Sequence, residues 1–123
     1  MKKNSSKREY KDYILDIYNS IEEIEKFVEG FSFEEFQNDK KTIYAVVRAI
    51  EIIGEATKNV PTSIKKINSE IKWAKVKGMR NKLIHEYFGV NIKVVWKTIK
   101  EDIPELKEKM AGLLKELKIN KLV

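Results

Sequence analysis

The chain has 123 residues, 42% of them hydrophobic and 36% charged, enough for one domain with a real core and neither disordered nor membrane-like in composition. It has no cysteine and one histidine, which excludes disulfides, thiolate catalysis and the usual Cys/His zinc sites, so any metal would need carboxylates; neither a metal nor a cofactor is expected. Its net charge of +6 favours an anionic partner.

Two prolines and five glycines interrupt long stretches rich in Lys, Glu, Ile and Leu. No segment alternates with period two, so the predicted class is all-α, an up-and-down helical bundle of four to five main helices in a single domain over 1–123. The start, Met1 to Arg8, is basic but runs into Glu9, Lys11 and Asp12 in place of an apolar h-region. The longest apolar run, Ile43 to Val47, is far too short to span a bilayer. A soluble, cytoplasmic protein with no membrane partner is expected.

The first helix is predicted from about Lys7 to Val28, with Tyr10, Tyr13, Ile14, Ile17, Ile21, Ile24 and Val28 as its apolar stripe. Gly30 ends it. Ser32 then makes an N-cap, with Glu35 completing a capping box, for a short helix through Gln37. A second long helix runs from about Asp39 to Asn59. Its apolar residues Ile43, Val46, Val47, Ala49, Ile50, Ile53, Gly54 and Ala56, widened by Ala45 and Ile52, cover more than half the circumference and call for burial on two sides. Arg48, Glu51, Glu55 and Lys58 fill the remaining strip, which is either a solvated face or a cleft wall lined by Arg48 and Glu55.

Pro61 and Ser63 punctuate a connector with a short turn around Ile64 to Ile67. A third helix is predicted to start near Lys72 and to run to Tyr87 or Phe88, where Gly89 stops it. Trp73 lies on the side of Val76 and Leu83, which favours packing over base stacking. Asn91 can cap a fourth helix with Val94, Val95, Thr98 and Ile99 facing inward, and Pro104 marks a kink or a fresh start. The last helix, to about Leu117, closes the bundle through Leu106, Met110, Leu113, Leu114 and Leu117. There is no internal repeat and no low-complexity linker.

The stretch from Arg80 to Gly89 holds the only histidine, five positions after an arginine. Arginine grips phosphate with a planar fork of donors, and imidazole is the side chain whose unperturbed pKa lies near neutrality, a combination suited to phosphoryl transfer on RNA. Five residues on a regular helix separate two side chains by about 140°, so Arg80 and His85 do not share a face. His85 aligns instead with Asn81, and with the small residues Ala74 and Gly78. Arg80 reaches it only if its side chain curls round, the helix distorts or a second copy contributes.

Cutting RNA without metal uses the 2'-hydroxyl as nucleophile and needs a base, an acid and positive charge at the phosphate. One histidine supplies one proton role at a time. A two-fold homodimer with both motifs in one groove supplies two imidazoles and two guanidinium groups, and the wide apolar arc of the second helix offers an interface. The same residues also permit a structural role, with His85 as a favourable charge at a helix C-terminus and Arg80 paired with Glu86 or capping the preceding turn.

Three segments together resemble the HEPN superfamily, and within it the HepT-like toxins paired with a minimal nucleotidyltransferase antitoxin. They are Tyr13 to Ile17, Ala45 to Ala56, and Gly78 to Val90, the last with the pattern Arg-Asn-x-x-x-His-x-Tyr-Phe-Gly. The chain departs from the family at Lys72, where a proline often precedes the tryptophan. The resemblance implies a metal-independent endoribonuclease working as a homodimer, with RNA as substrate in a cleft between subunits. It assigns Arg80 to the scissile phosphate, His85 to general base or acid catalysis, Asn81 to orienting the phosphate or imidazole, and Tyr87 to the attachment of AMP by the cognate nucleotidyltransferase. Added charge and bulk at Tyr87 would repel RNA by the electrostatics that govern phosphorylation. The alternative is a non-catalytic helical module that binds RNA or nucleotide and docks onto a nucleotidyltransferase.

Overall fold

The computed structural model describes residues 8–68, 70–79 and 92–119. Among these the regular structure is helical throughout: α1 (Tyr10–Phe27), α2 (Phe33–Gln37), α3 (Lys40–Lys58), α4 (Thr62–Lys65), α5 (73–79, as far as described), α6 (Ile92–Lys97) and α7 (Ile103–Glu116). The all-α expectation holds.

Local chemistry sets most of the ends. Glu9 and Asp12 form a reciprocal capping box at the start of α1. Gly30, at φ 78°, takes the left-handed turn that releases the chain from α1, a conformation that costs glycine nothing. Ser32 Oγ accepts from the Glu35 N–H at 3.1 Å while the Ser32 N–H donates to Glu35 Oε1 at 2.9 Å, which starts α2. Asp39 Oδ1 caps α3 by accepting from the Thr42 N–H at 3.1 Å. Lys72, standing where the related pattern has proline, serves as the last residue before α5, its carbonyl accepting from the Val76 N–H at 3.0 Å.

The core lies mainly between α1 and α3, with α7 packed on α1. Ile14, Ile17, Ile21 and Ile24 from one face of α1 meet Val46, Ile50 and Ile53 of α3, all at 0% exposure. Each such side chain contributes roughly 1.5–3 kcal/mol by leaving water. The wide apolar arc of α3 is only partly covered within one chain, since Ala45, Val47 and Ile52 stay half-buried and Tyr44 is 56% exposed. Across the bundle Lys107 Nζ reaches Glu25 Oε1 at 2.7 Å, and this hydrogen bond raises the Lys107 amine above its ordinary value. What the pair adds to stability is therefore present below the free-lysine range and fades as pH climbs through the raised value. The pair is part-exposed, so the contribution stays below about 1 kcal/mol.

Pro104 stands in the first turn of α7, the fresh start that the sequence offers as one of its two readings. α6 passes into α7 through one widened turn, Thr98–Asp102, in which the Ile103 N–H bonds back to the Thr98 carbonyl. A proline inside a regular helix removes a hydrogen bond and crowds the carbonyl four residues earlier, and a π-type turn relieves both problems without breaking the helix. Thr98 is buried there with its hydroxyl donating to the Val94 carbonyl at 3.0 Å. Val94 itself is half-buried, whereas Val95 and Ile99 face inward as expected.

Candidate functional site

Arg80, Asn81, His85 and Tyr87 lie outside the described residues; the structure gives the two elements that flank them. On the entry side α5 is held firmly. Trp73 Nε1 donates to the Lys65 carbonyl at 3.1 Å, and Ile71, Val76 and Met79 are buried. Lys75 Nζ lies 3.5 Å from Asp102 Oδ1, tying α5 to the widened turn before α7. Trp73 is thus a packing residue with a satisfied N–H, as its side of the helix implied.

On the exit side α6 starts at Ile92 and is anchored through Trp96. The Trp96 ring meets the fully buried Phe36 at 5.1 Å and Phe33 at 6.1 Å, so α2 acts as a clasp between α3 and α6. The described elements on either side of the motif are thus both well packed.

Arg48 and Glu55 line a groove between α1 and α3 with Arg8, Tyr13, Asp16, Glu51 and Asn59. Its charges are largely matched internally. Arg8 Nη1 lies 2.9 Å from Asp16 Oδ2, and its guanidinium stacks 4.7 Å over the Tyr13 ring. The Asp16 hydrogen bond holds Arg8 above its ordinary value. Arg48 Nη1 reaches Glu51 Oε1 at 3.4 Å, with its side chain 71% exposed, and Glu55 Oε2 reaches Lys58 Nζ at 3.7 Å. A groove of this kind can orient a polar group but presents little net charge to a polyanion. Sequence reasoning did not place Arg8, Tyr13 or Asp16 in this groove, because only the packing of α1 on α3 brings them beside Arg48.

Among the described residues no group of three or more His, Cys, Asp or Glu side chains comes together to hold a metal. No helix among them is long and apolar enough to cross a membrane.

Comparison with known proteins places these elements in a family. The model of the family described as "Ribonuclease HepT-like" matches residues 17–112, from the middle of α1 to most of α7. The protein named "Probable ribonuclease HepT" from Thermococcus cleftensis is 55% identical over 109 residues, covering 89% of this chain and 99% of its own. Two proteins with provisional RNase names are also similar. That from Methanocaldococcus jannaschii is 41% identical over 111 residues, covering 90% of this chain and 96% of its own. That from Caldanaerobacter subterraneus is 43% identical over 106 residues, covering 86% and 95%. No solved structure matches. The match takes in the central helix, the motif and the closing helix together: the chain belongs to the HepT-like ribonuclease family.

Proposed function

We propose that this protein is a metal-independent endoribonuclease acting as a homodimer, in which Arg80 holds the scissile phosphate, His85 moves protons and Asn81 orients one or the other. The observation that carries this reading is that the matched region, residues 17–112, contains the whole Arg80-to-Tyr87 motif within a family described as ribonuclease. The chemistry balances without an added reactant. A base takes the 2'-hydroxyl proton, the oxygen attacks phosphorus, and the 5'-oxygen leaves with a proton from an acid. The products are a 2',3'-cyclic phosphate and a 5'-hydroxyl.

One imidazole per chain makes a second protomer the natural source of the second proton carrier. The partial exposure of Ala45, Val47 and Ile52 on the apolar arc of α3 supports the need for a covering surface. Arg48 and Glu55 stand at the edge of the substrate cleft in this reading. Tyr87 is the acceptor for AMP from a cognate minimal nucleotidyltransferase acting as antitoxin, its oxygen displacing pyrophosphate from the α-phosphorus of ATP as the phenol proton is lost, and the attached phosphate closes the cleft to RNA by like-charge repulsion.

Single-stranded RNA incubated with the purified protein, with and without EDTA, tests the reading. Fragments ending in cyclic phosphate are expected at equal rates in both arms. Cleavage that stops with chelator would overturn metal independence, and tight binding without cleavage would leave the docking module in its place.

A further inference from the structure

Lys93, Lys97 and Lys100 recur at spacings of four and three along α6 and the widened turn, which puts them on one side of the helix, and all three are exposed. The described residues around them give no local reason for the arrangement. Lys93 stands in the first turn of α6, which holds no acidic residue, so its charge faces the positive end of the helix dipole. Like charges one turn apart repel one another. Among the described residues none of the three makes an ion pair, although Glu101 lies four residues after Lys97. Lys75, Lys107 and Lys109, on neighbouring elements, each sit against a carboxylate, at 3.5, 2.7 and 3.6 Å.

Lys100 is held in another way. Its Nζ lies 4.7 Å from the centroid of the Trp96 ring, which in turn packs on the buried Phe36. An aromatic face fixes an amine without cancelling its charge. The helix beneath is rigid, since Val95, Thr98 and Ile99 are buried and α6 continues unbroken into α7. Lys93 follows His85 by eight residues, so the two lie within about 28 Å of each other even at full extension. A row of cations with no ion pair among the described residues, one of them seated on an aromatic face and the first no farther than that from His85, matches a polyanion that extends beyond one phosphate.

We infer that Lys93, Lys97 and Lys100 form a phosphate-tracking rail for the single RNA strand flanking the scissile step. This rests on the nuclease reading for the position of that step, but the binding surface is separable from it. The rail sets affinity and register through the backbone and reads no base, because lysine meets phosphate as a point charge.

The test compares the full-length wild type with K93Q/K97Q/K100Q and with K26Q/K66Q/K115Q, which removes the same charge from exposed lysines on other elements. Binding of a fluorescent oligouridylate is followed by anisotropy across a salt series. The rail variant should bind about tenfold or more weakly at moderate salt, and its slope of log affinity against log salt should shrink by about 2, from three contacts each worth about 0.7 on single strands. The control should stay close to wild type. In cleavage assays the rail variant should raise KM with kcat unchanged. A rail variant that binds like the control, or wild-type binding indifferent to salt, would overturn the rail. Wild type that never cuts, with the rail variant still losing affinity, would remove the nuclease reading and leave the rail standing.

Discussion

Replacing His85 by Ala is expected to lower RNA cleavage by about 100- to 10,000-fold, the range over which a positioned acid or base acts. The lower figure applies if His85 serves one proton transfer while water covers the other. The higher figure applies if the two copies of His85 divide the acid and base roles, because one substitution then removes both. RNA affinity should change little, since the proposed phosphate grip lies with Arg80 and the lysines of α6. Cleavage by initial rate, RNA binding by anisotropy and melting by circular dichroism separate the possibilities. A variant that melts far lower but cuts at the wild-type rate would make His85 a structural residue, the role that a histidine near a helix end often has.

The largest expected effect on stability comes from Phe36→Ala. Phe36 is at 0% exposure on a helix of five residues, too short to persist without tertiary support, and its ring lies 5.1 Å from that of Trp96. Truncation opens a cavity between α3 and α6 and removes an aromatic contact, for a loss of about 3–5 kcal/mol. In a chain of this size that lowers the melting temperature by roughly 10–20 °C. Phe33→Ala, at a half-buried position on the same helix, should cost distinctly less. The consequence reaches function through Trp96, which also seats Lys100. A sample of Phe36→Ala kept folded at low temperature should therefore bind RNA more weakly than wild type. Denaturant unfolding checks the stability loss, and an unchanged midpoint would mean that α2 is no clasp.

Elements closed by adjacent residues were legible in the sequence. The box of Ser32 with Glu35 and the ends of α3 at Asp39 and Asn59 involve groups within four positions of each other, so spacing alone defines them. Pro104 was harder because proline writes the same signal for a break, a kink or a first turn. Only the burial of Thr98 and Ile99 on one side and of Ile103 and Leu106 on the other holds the helix continuous and forces the extra residue into a wider turn. The groove of Arg8, Asp16 and Arg48 was not legible, since long charged side chains choose partners across elements by packing and rotamer. Lys93, Lys97 and Lys100 carry no signal in the sequence beyond their spacing. That none of them forms an ion pair among the described residues, and that Trp96 seats Lys100, become evident only in three dimensions.

The motif was legible as chemistry but its partnership was not. Arg80 and His85 are set about 140° apart on a regular helix, and nothing in one chain's sequence states how they meet. In the proposed homodimer a second protomer would resolve that geometry and the shortage of proton carriers together, and would cover the outer arc of α3. Specific activity followed over a dilution series, with the oligomeric state read in parallel by mass photometry, tests this most directly. Activity per chain should fall in step with the fraction of dimer as the protein is diluted. Full activity per chain in a sample that is wholly monomeric would contradict the shared cleft.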